Sequence, residues 1–420
     1  MLSLNRICCY LIIFGVIILI PSVNFITYSD ELISVSFLAI ALADCLINQC
    51  WKKYSLLWII VSILSIYALY SLYLPYNTLR YILLDWIIEL KPFLPFCVLF
   101  AIGPELTKLD KKFIRVVCWI NISIIAVCFA LGMSVIKAVM FHPTYPSMFA
   151  VITGLLYYYC SLSCDNSISK KDLWISIAMM SIGIFGFKAK FFGIFILSLY
   201  LLLFYQPGIC RNLNYKHILT LIILSLLVLG ATWNKISYYF LQGESNSFDL
   251  STIESFARPV LYATGGLILW DHFPFGTGLA SFATFASGEN YSFVYYEYGI
   301  NNVHGLSRNA PDFICDAYFP SLAQYGFIGL ILYVYFWVYV YSFLRIMIRT
   351  KPNLYRPLFI AGSICIIFIL IESTTGTTFT QTGGTIVMML LGIICAKGKF
   401  LKQRERLSNT NILCINKQKI

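Results

Sequence analysis

The feature that most constrains this chain is a succession of apolar runs, each about as long as a bilayer is thick. About 20 apolar residues in a helix cross the ~30 Å hydrocarbon core, and only a closed helix satisfies its backbone there without water. The runs fall at 7–24, 33–49, 54–74, 91–104, 116–136, 146–162, 173–187, 190–206, 217–234, 321–345, 357–372 and 382–396. The run 91–104 is short and borrows from the segment Arg80–Leu90 before it. Leu4–Leu19 has the length of a secretory leader, but Pro21-Ser22-Val23-Asn24 is a poor small-residue cleavage site, so it reads as a retained span. Composition agrees: 12% of the residues are charged, against roughly 25% in a soluble domain. The expectation is a single all-α polytopic membrane domain over 1–420 with about twelve transmembrane helices.

Basic residues orient it, because short cytoplasmic loops collect Lys and Arg. With the N-terminus inside, the cytoplasmic side receives Arg6, Lys52, Lys53, the cluster Lys108 to Arg115, Lys170, Lys171, Arg211, Lys216, and Arg345 to Arg356. A basic tail, 397–420, adds to it. This side holds 22 of the 30 basic residues and the outer side eight. Both termini are therefore expected to be cytoplasmic. The net charge of +11 is topogenic and gives no reason to invoke nucleic acid. Of the 14 cysteines, only Cys315 falls in the long outer loop, so no disulfide framework is expected there.

That loop, 235–320, runs for 86 residues, far beyond ordinary connections. Its wealth of Phe, Tyr, Trp and Leu argues against disorder. Ser251-Thr252-Ile253-Glu254 has the form of a capping box, and Ile253, Phe256, Ala257, Val260 and Leu261 follow at helical spacing. The helix is expected to end near Gly265-Gly266 or Asp271. A turn-forming stretch, Phe273-Pro274-Phe275-Gly276-Thr277-Gly278, and an aromatic segment to Tyr298 follow. The loop reads as a folded cap on the bundle.

Charges at the ends of spans ask for a reason, since one held centrally costs about 2.5–3.5 kcal/mol. Lys188 and Lys190, in the hairpin Phe185–Gly193, are either snorkelling lysines or a cationic site for a phosphate-bearing ligand. Arg258 is either an i,i+4 partner of Glu254 or a bidentate diphosphate ligand. Arg80 and Lys91 bracket an interfacial segment that also carries Asp85 and Glu89, where snorkelling and surface pairing compete with ligand binding. Asp316 lies among apolar residues just before a span. Desolvation there would raise its pKa and suit it to general base work, and helix capping is the blander account. His272, Asp271, His304 and Asp312 are further loop candidates, each more readily structural or solvated. The hydroxyl-rich stretch Glu372–Gly384 is either a sugar-contacting rim or a polar turn. No Asp-x-Asp pair or Cys/His spacing suggests a metal.

In this order the residues resemble the Wzy-type O-antigen polymerases of bacterial inner membranes. Ala257-Arg258-Pro259, then Trp270–Pro274 and Gly276-Thr277-Gly278, is similar to that family's loop pattern of an arginine, a helix and Pro-x-Gly-x-Gly. Asp316–Pro320 followed by Tyr325–Gly329 is similar to its loop-to-membrane junction. The related O-antigen ligases carry a histidine about eleven residues before the first glycine of that junction. Counting back from Gly326 reaches Cys315, beside Asp316. The resemblance implies a metal-independent glycosyltransferase with no cofactor, acting in lipopolysaccharide biosynthesis at the periplasmic face. It would move the growing glycan from undecaprenyl diphosphate onto a new lipid-linked repeat unit. A flippase and a chain-length regulator are the partners implied. It suggests Asp316 as base, with His304 and His272 as further catalytic candidates, and Arg258, Lys188, Lys190, Arg80 and Lys91 for the diphosphate. A ligase and a lipid-linked oligosaccharide transporter are the alternatives.

Overall fold

The structure, a computed structural model, describes residues 3–19, 28–140, 144–207, 226, 230 and 256–417, with side chains to 404. Its helices in chain order are α1 (Leu4–Ile18), α2 (Ser29–Asn48), α3 (Ser55–Ser71), α4 (Leu79–Leu90), α5 (Phe93–Ile102), α6 (Lys108–Leu131), α7 (Met133–Met140), α8 (Tyr145–Cys160), α9 (Lys170–Ser181) and α10 (Ala189–Phe204). After the undescribed stretch come α11 (Ala257–Asp271), α12 (Phe285–Glu289), α13 (Val294–Glu297), α14 (Gly326–Thr350), α15 (Pro352–Ser373) and α16 (Thr382–Lys417). Among the described residues β-pairing is limited to one isolated bridge, Ser307 to Ala310.

Among the described residues, five segments are long and apolar enough to cross a membrane: Trp51–Ser71, Lys108–Leu131, Phe319–Thr350, Pro352–Ser373 and Thr382–Arg404. The chain is thus an all-helical membrane protein. The apolar run 91–104 is one short helix, α5, turning directly out of α4. The run 173–187 ends as a helix at Ser181 and finishes in a 3-10 turn, Ile182–Gly186. The run 217–234 and the Ser251–Glu254 box lie outside the described residues.

Burial runs inside out, as a lipid solvent demands. Leu46, Ile47, Ile59, Ile66, Val127, Ile331 and Val338 are exposed large hydrophobics on α2, α3, α6 and α14. In water such a belt would be a sticky patch; against acyl chains it costs nothing. The interior is built on α8, α15 and α16. Every residue of α8 from Pro146 to Cys160 except the half-buried Phe149 is buried, and Gly154 lets α9 approach until Ser176 Oγ donates to its carbonyl at 2.8 Å. Small residues at a helix contact are how packing proceeds where lipid is as apolar as the side chains.

Local sequence sets the polar ends. Thr107 and Asp110 form a reciprocal capping box on α6, satisfying two of its free N–H groups. The Asp110 carboxylate also binds Arg6 of α1 at 2.7 Å. Ser169 caps α9 by accepting from Asp172 N.

The described part of the long loop folds over one end of the bundle as a cap with its own core. Leu261, Ile268, Phe282, Val294, Tyr295, Leu306 and Ile314 are buried together there. Tyr295 places its hydroxyl against Ser287 Oγ at 2.8 Å and accepts from Ala283 N at 2.9 Å, and burial pushes this phenol well above its ordinary pKa. The cap rests on α3 and α4: Ser71 Oγ accepts from Leu279 N, Asp85 Oδ2 accepts from Ala280 N at 2.8 Å, and Asn77 donates to Ala280 O.

Candidate functional site

Two short glycine motifs lock the cap to the bundle. Gly276 (φ +76°) and Gly326 (φ +61°) sit backbone to backbone. A Cβ on Gly276 would collide with Ala323 O and Gly326 N, and one on Gly326 with Pro274 O and Gly276 N. Gly278 N donates to Gln324 O at 2.8 Å and Ile328 N to Pro274 O at 3.2 Å. Only glycine supplies both the left-handed conformation and the clearance. The Pro-x-Gly-x-Gly stretch and the Tyr325–Gly329 junction, 48 positions apart from Gly278 to Gly326 by their numbers, are therefore two halves of one latch.

Beside this latch, three separate segments contact the turn after α15: one through Lys190, the other two through tyrosines next to a second ion pair. Arg258, in the first turn of α11, binds Asp316 at 2.5 Å, both side chains about one-third exposed. Its Nε is buried with no hydrogen-bond partner among the described residues. One helical turn on, Tyr262 donates to Thr374 O at 2.9 Å. Just after Asp316, Tyr318 N donates to Ser373 O at 3.0 Å. Lys190, in the first turn of α10, binds Glu372 at 2.7 Å and reaches Thr375 O at 3.5 Å. Glu372 is almost fully buried and also accepts from Thr378 Oγ1 at 2.9 Å. Cap helix, cap exit and membrane hairpin thus meet on four successive residues, Glu372 to Thr375.

The cluster holds two cations and two carboxylates, paired one to one. Lys190 uses two of its three donors on Glu372 and Thr375, leaving one. Asp316 is half-exposed and ion-paired, not the desolvated carboxylate that its apolar neighbours in sequence suggested. The reason is Arg258, which those neighbours do not reveal. The pairing of Arg258 with Glu254 weighed above lies outside the described residues.

Other candidates stand apart. Lys91 is buried and clasped by Asp30 and Glu31, each at 2.7 Å. It is not a snorkelling interfacial cation; it ties α2 to the α4–α5 corner, and its charge is already compensated. Arg80 is exposed and lies over the Tyr81 ring at 5.6 Å. Lys188 is half-buried at the N-cap of α10, two residues from Lys190. His272 caps the far end of α11, edge-on to Tyr76 and near Tyr298. His304 is exposed against Phe313. None of the contacts recorded for Arg80, His272 or His304 reaches the Arg258–Asp316 or Lys190–Glu372 pairs.

Three participants were not singled out from the sequence. In sequence Glu372 is only the first residue of a stretch that reads as a sugar-contacting rim or a polar turn, although an acid ending an apolar run signals a buried cation partner. Asp85 and Glu89 were read as interfacial, yet both are buried: Asp85 anchors the cap, and Glu89 accepts from Tyr318 OH at 2.8 Å. Glu89 and Tyr318 also line an apolar pocket between α3 and α14, about 570 Å³ with the open space at its mouth included, walled by Leu64, Tyr67, Tyr325 and Phe336. A polar site and an apolar slot therefore share Tyr318. Neither protein-family models nor curated proteins give a match to this sequence.

Proposed function

We propose that this chain is an O-antigen-type polysaccharide polymerase: a membrane glycosyltransferase that passes a growing glycan from a polyprenyl diphosphate to a new lipid-linked repeat unit. In this reading twelve spans cross the bacterial inner membrane with both termini cytoplasmic, the loop 235–320 faces the periplasm, and 397–420 is a cytoplasmic tail. The observation that carries it is Lys190 bound on the turn Glu372–Thr375, with Tyr262 and Tyr318, the neighbours of the Arg258–Asp316 pair, tied to the same turn beside an apolar slot. A substrate with an anionic diphosphate between a sugar and a polyprenyl chain needs cations, a proton acceptor and apolar wall in one place.

The chemistry follows from the pairing. The acceptor sugar hydroxyl attacks the donor's anomeric carbon as the bond from that carbon to the diphosphate oxygen breaks. Diphosphate leaves with the bonding electrons, and the hydroxyl proton passes to Asp316. Protonation removes the charge that held Arg258. The guanidinium is then released towards the departing diphosphate, so proton uptake and leaving-group stabilisation are coupled through one ion pair. Lys190, kept in place by Glu372, offers its remaining donor to the same anion. Substrate sugars would lie along the hydroxyls of Thr374 to Thr378.

The test is the lipopolysaccharide ladder of a strain lacking the protein. A polymerase loss leaves core carrying one repeat unit, whereas a ligase loss leaves core with none and a transporter loss removes repeat units from the outer leaflet. Complementation with Asp316→Asn and with Arg258→Ala should give the one-repeat pattern. Because the pair is half-exposed, each substitution should change stability by no more than about 1 kcal/mol. A wild-type ladder from either variant would remove that residue from the mechanism.

A further inference from the structure

The end of the bundle away from the cap carries a second concave site with the opposite electrostatic design. It lies at the start of α3, whose 17 residues at 1.5 Å each put it about 25 Å from the cap, close to one hydrocarbon thickness. Its volume, mouth included, is about 1340 Å³. Lys52 and Lys53 form one wall and Lys399 and Lys402 the other, over an apolar floor that includes Leu57, Phe100 and Phe343.

The lysines of the second wall are turned onto that floor. Lys399 Nζ lies 4.9 Å from the centre of the Phe100 ring and Lys402 Nζ 5.3 Å from that of Phe343. The two rings are themselves in edge contact, with centroids 4.9 Å apart, so both ammonium groups sit above one aromatic pair. Residues three apart on a helix are neighbours, and like charges there repel. Of the four lysines, Lys53 has a carboxylate, Asp44, at 2.8 Å. Among the described residues no carboxylate pairs with Lys52, Lys399 or Lys402. Lysines that merely orient a membrane protein point into water. Here they surround a hollow with three charges that no carboxylate among the described residues pairs, over a greasy floor.

We infer that this hollow is a binding site for an anionic glycerophospholipid, its phosphate held by Lys52, Lys399 and Lys402 and the first carbons of its acyl chains laid on Phe100 and Phe343. A phosphate supplies the missing negative charge, and the apolar floor selects one that carries hydrocarbon. Basic pockets between helices on the cytoplasmic side bind anionic lipid headgroups. The inference is independent of the glycosyltransferase reading.

The test uses the full chain purified in detergent, with native mass spectrometry following titration by phosphatidylglycerol or by phosphatidylcholine of the same acyl chains. Phosphatidylglycerol should bind as one tight equivalent and phosphatidylcholine should not. The triple variant Lys52→Gln, Lys399→Gln, Lys402→Gln should bind it at least tenfold more weakly, and the corresponding triple arginine variant should retain it. A control of equal charge, Lys108→Gln, Lys112→Gln, Lys170→Gln, alters exposed lysines elsewhere and should leave the tight equivalent intact. Equal weakening in the control, or no preference between the two lipids, would overturn the site. Sodium phosphate displacing phosphatidylglycerol at micromolar concentration would show that a free phosphate is the occupant and overturn the lipid assignment.

Discussion

Lys190 and Glu372 pose the sharpest question, because a buried ion pair at a candidate site is at once structural and chemical. Their side chains are 13% and 2% exposed, the N–O distance is 2.7 Å, and Glu372 is further held by Thr378. Removing either partner strands the other charge in a low-dielectric setting, which costs roughly 3–5 kcal/mol in buried pairs. Lys190→Met and Glu372→Gln should each lower stability by about that amount. Each alone would therefore abolish activity without saying why. The double variant removes both charges together, and replacing a whole buried pair by neutral groups of similar volume is often neutral. We expect it to recover most of the lost stability, with a coupling of at least about 2 kcal/mol between the sites. Thermal unfolding midpoints of the four proteins in one detergent, read by size-exclusion recovery after heating, complete the cycle. The same four genes, expressed in the deletion strain, give the polysaccharide readout. If Lys190 serves the diphosphate as proposed, the stable double variant should still stop at one repeat unit. Additive midpoints would mean that the pair does not form. A stable double variant with a full ladder would leave Lys190 a purely structural role.

Other outcomes follow from the same geometry. Gly276→Ala combines a left-handed backbone, about 1–2 kcal/mol for an L-residue, with a backbone collision that adds about 1–3 kcal/mol. Gly266→Ala, in α11 with open space around its Cβ position, should stabilise by roughly 0.5–1 kcal/mol, and the two should shift the unfolding midpoint in opposite directions; equal effects would refute the latch. Topology is open to an impermeant maleimide. Cys164, exposed between α8 and α9, should be protected in intact spheroplasts and labelled after lysis, whereas Asn309→Cys on the cap should react in intact ones; labelling of Cys164 from outside would invert the orientation. In the same experiment Cys315 should stay unlabelled at pH 8, because burial pushes its thiol up to about 12 and the reactive thiolate is scarce. Rapid reaction there would mean that the cap is open in solution.

The sequence was most legible where one residue type does one job. Hydrophobic run length located the helical class, because transfer into lipid depends on composition summed over a window. Aromatic content argued for a folded cap and composition for a turn at Phe273–Gly278, while Tyr325–Gly329 stood out only through the family resemblance; that the two stretches meet was not legible. Pairing was invisible by contrast. Arg258 and Asp316 are 58 positions apart, and Lys190 and Glu372 are 182 apart, so nothing local announces either pair. Lys91 shows the same limit: read alone it is open to snorkelling, surface pairing or ligand binding alike, yet Asp30 and Glu31 reach it from a different helix. The run 91–104 looked short because α4, which carries Asp85 and Glu89, breaks the hydropathy signal while still packing into the interior.

The latch at Gly276 and Gly326 also makes the exit of the cap a fulcrum. The 15 residues of α11 form a lever about 22 Å long at 1.5 Å per residue, and its His272 end is fastened next to that pivot. Arg258 rides on the other end, held by its pair with Asp316 and, one turn on, by Tyr262 on Thr374, while Tyr318 and Ser373 stay with the pivot. A glycan wedged beneath α11 would therefore part Arg258 from Asp316 before it strained the latch. Arrival of a bulky chain and unmasking of the carboxylate would then be a single mechanical event.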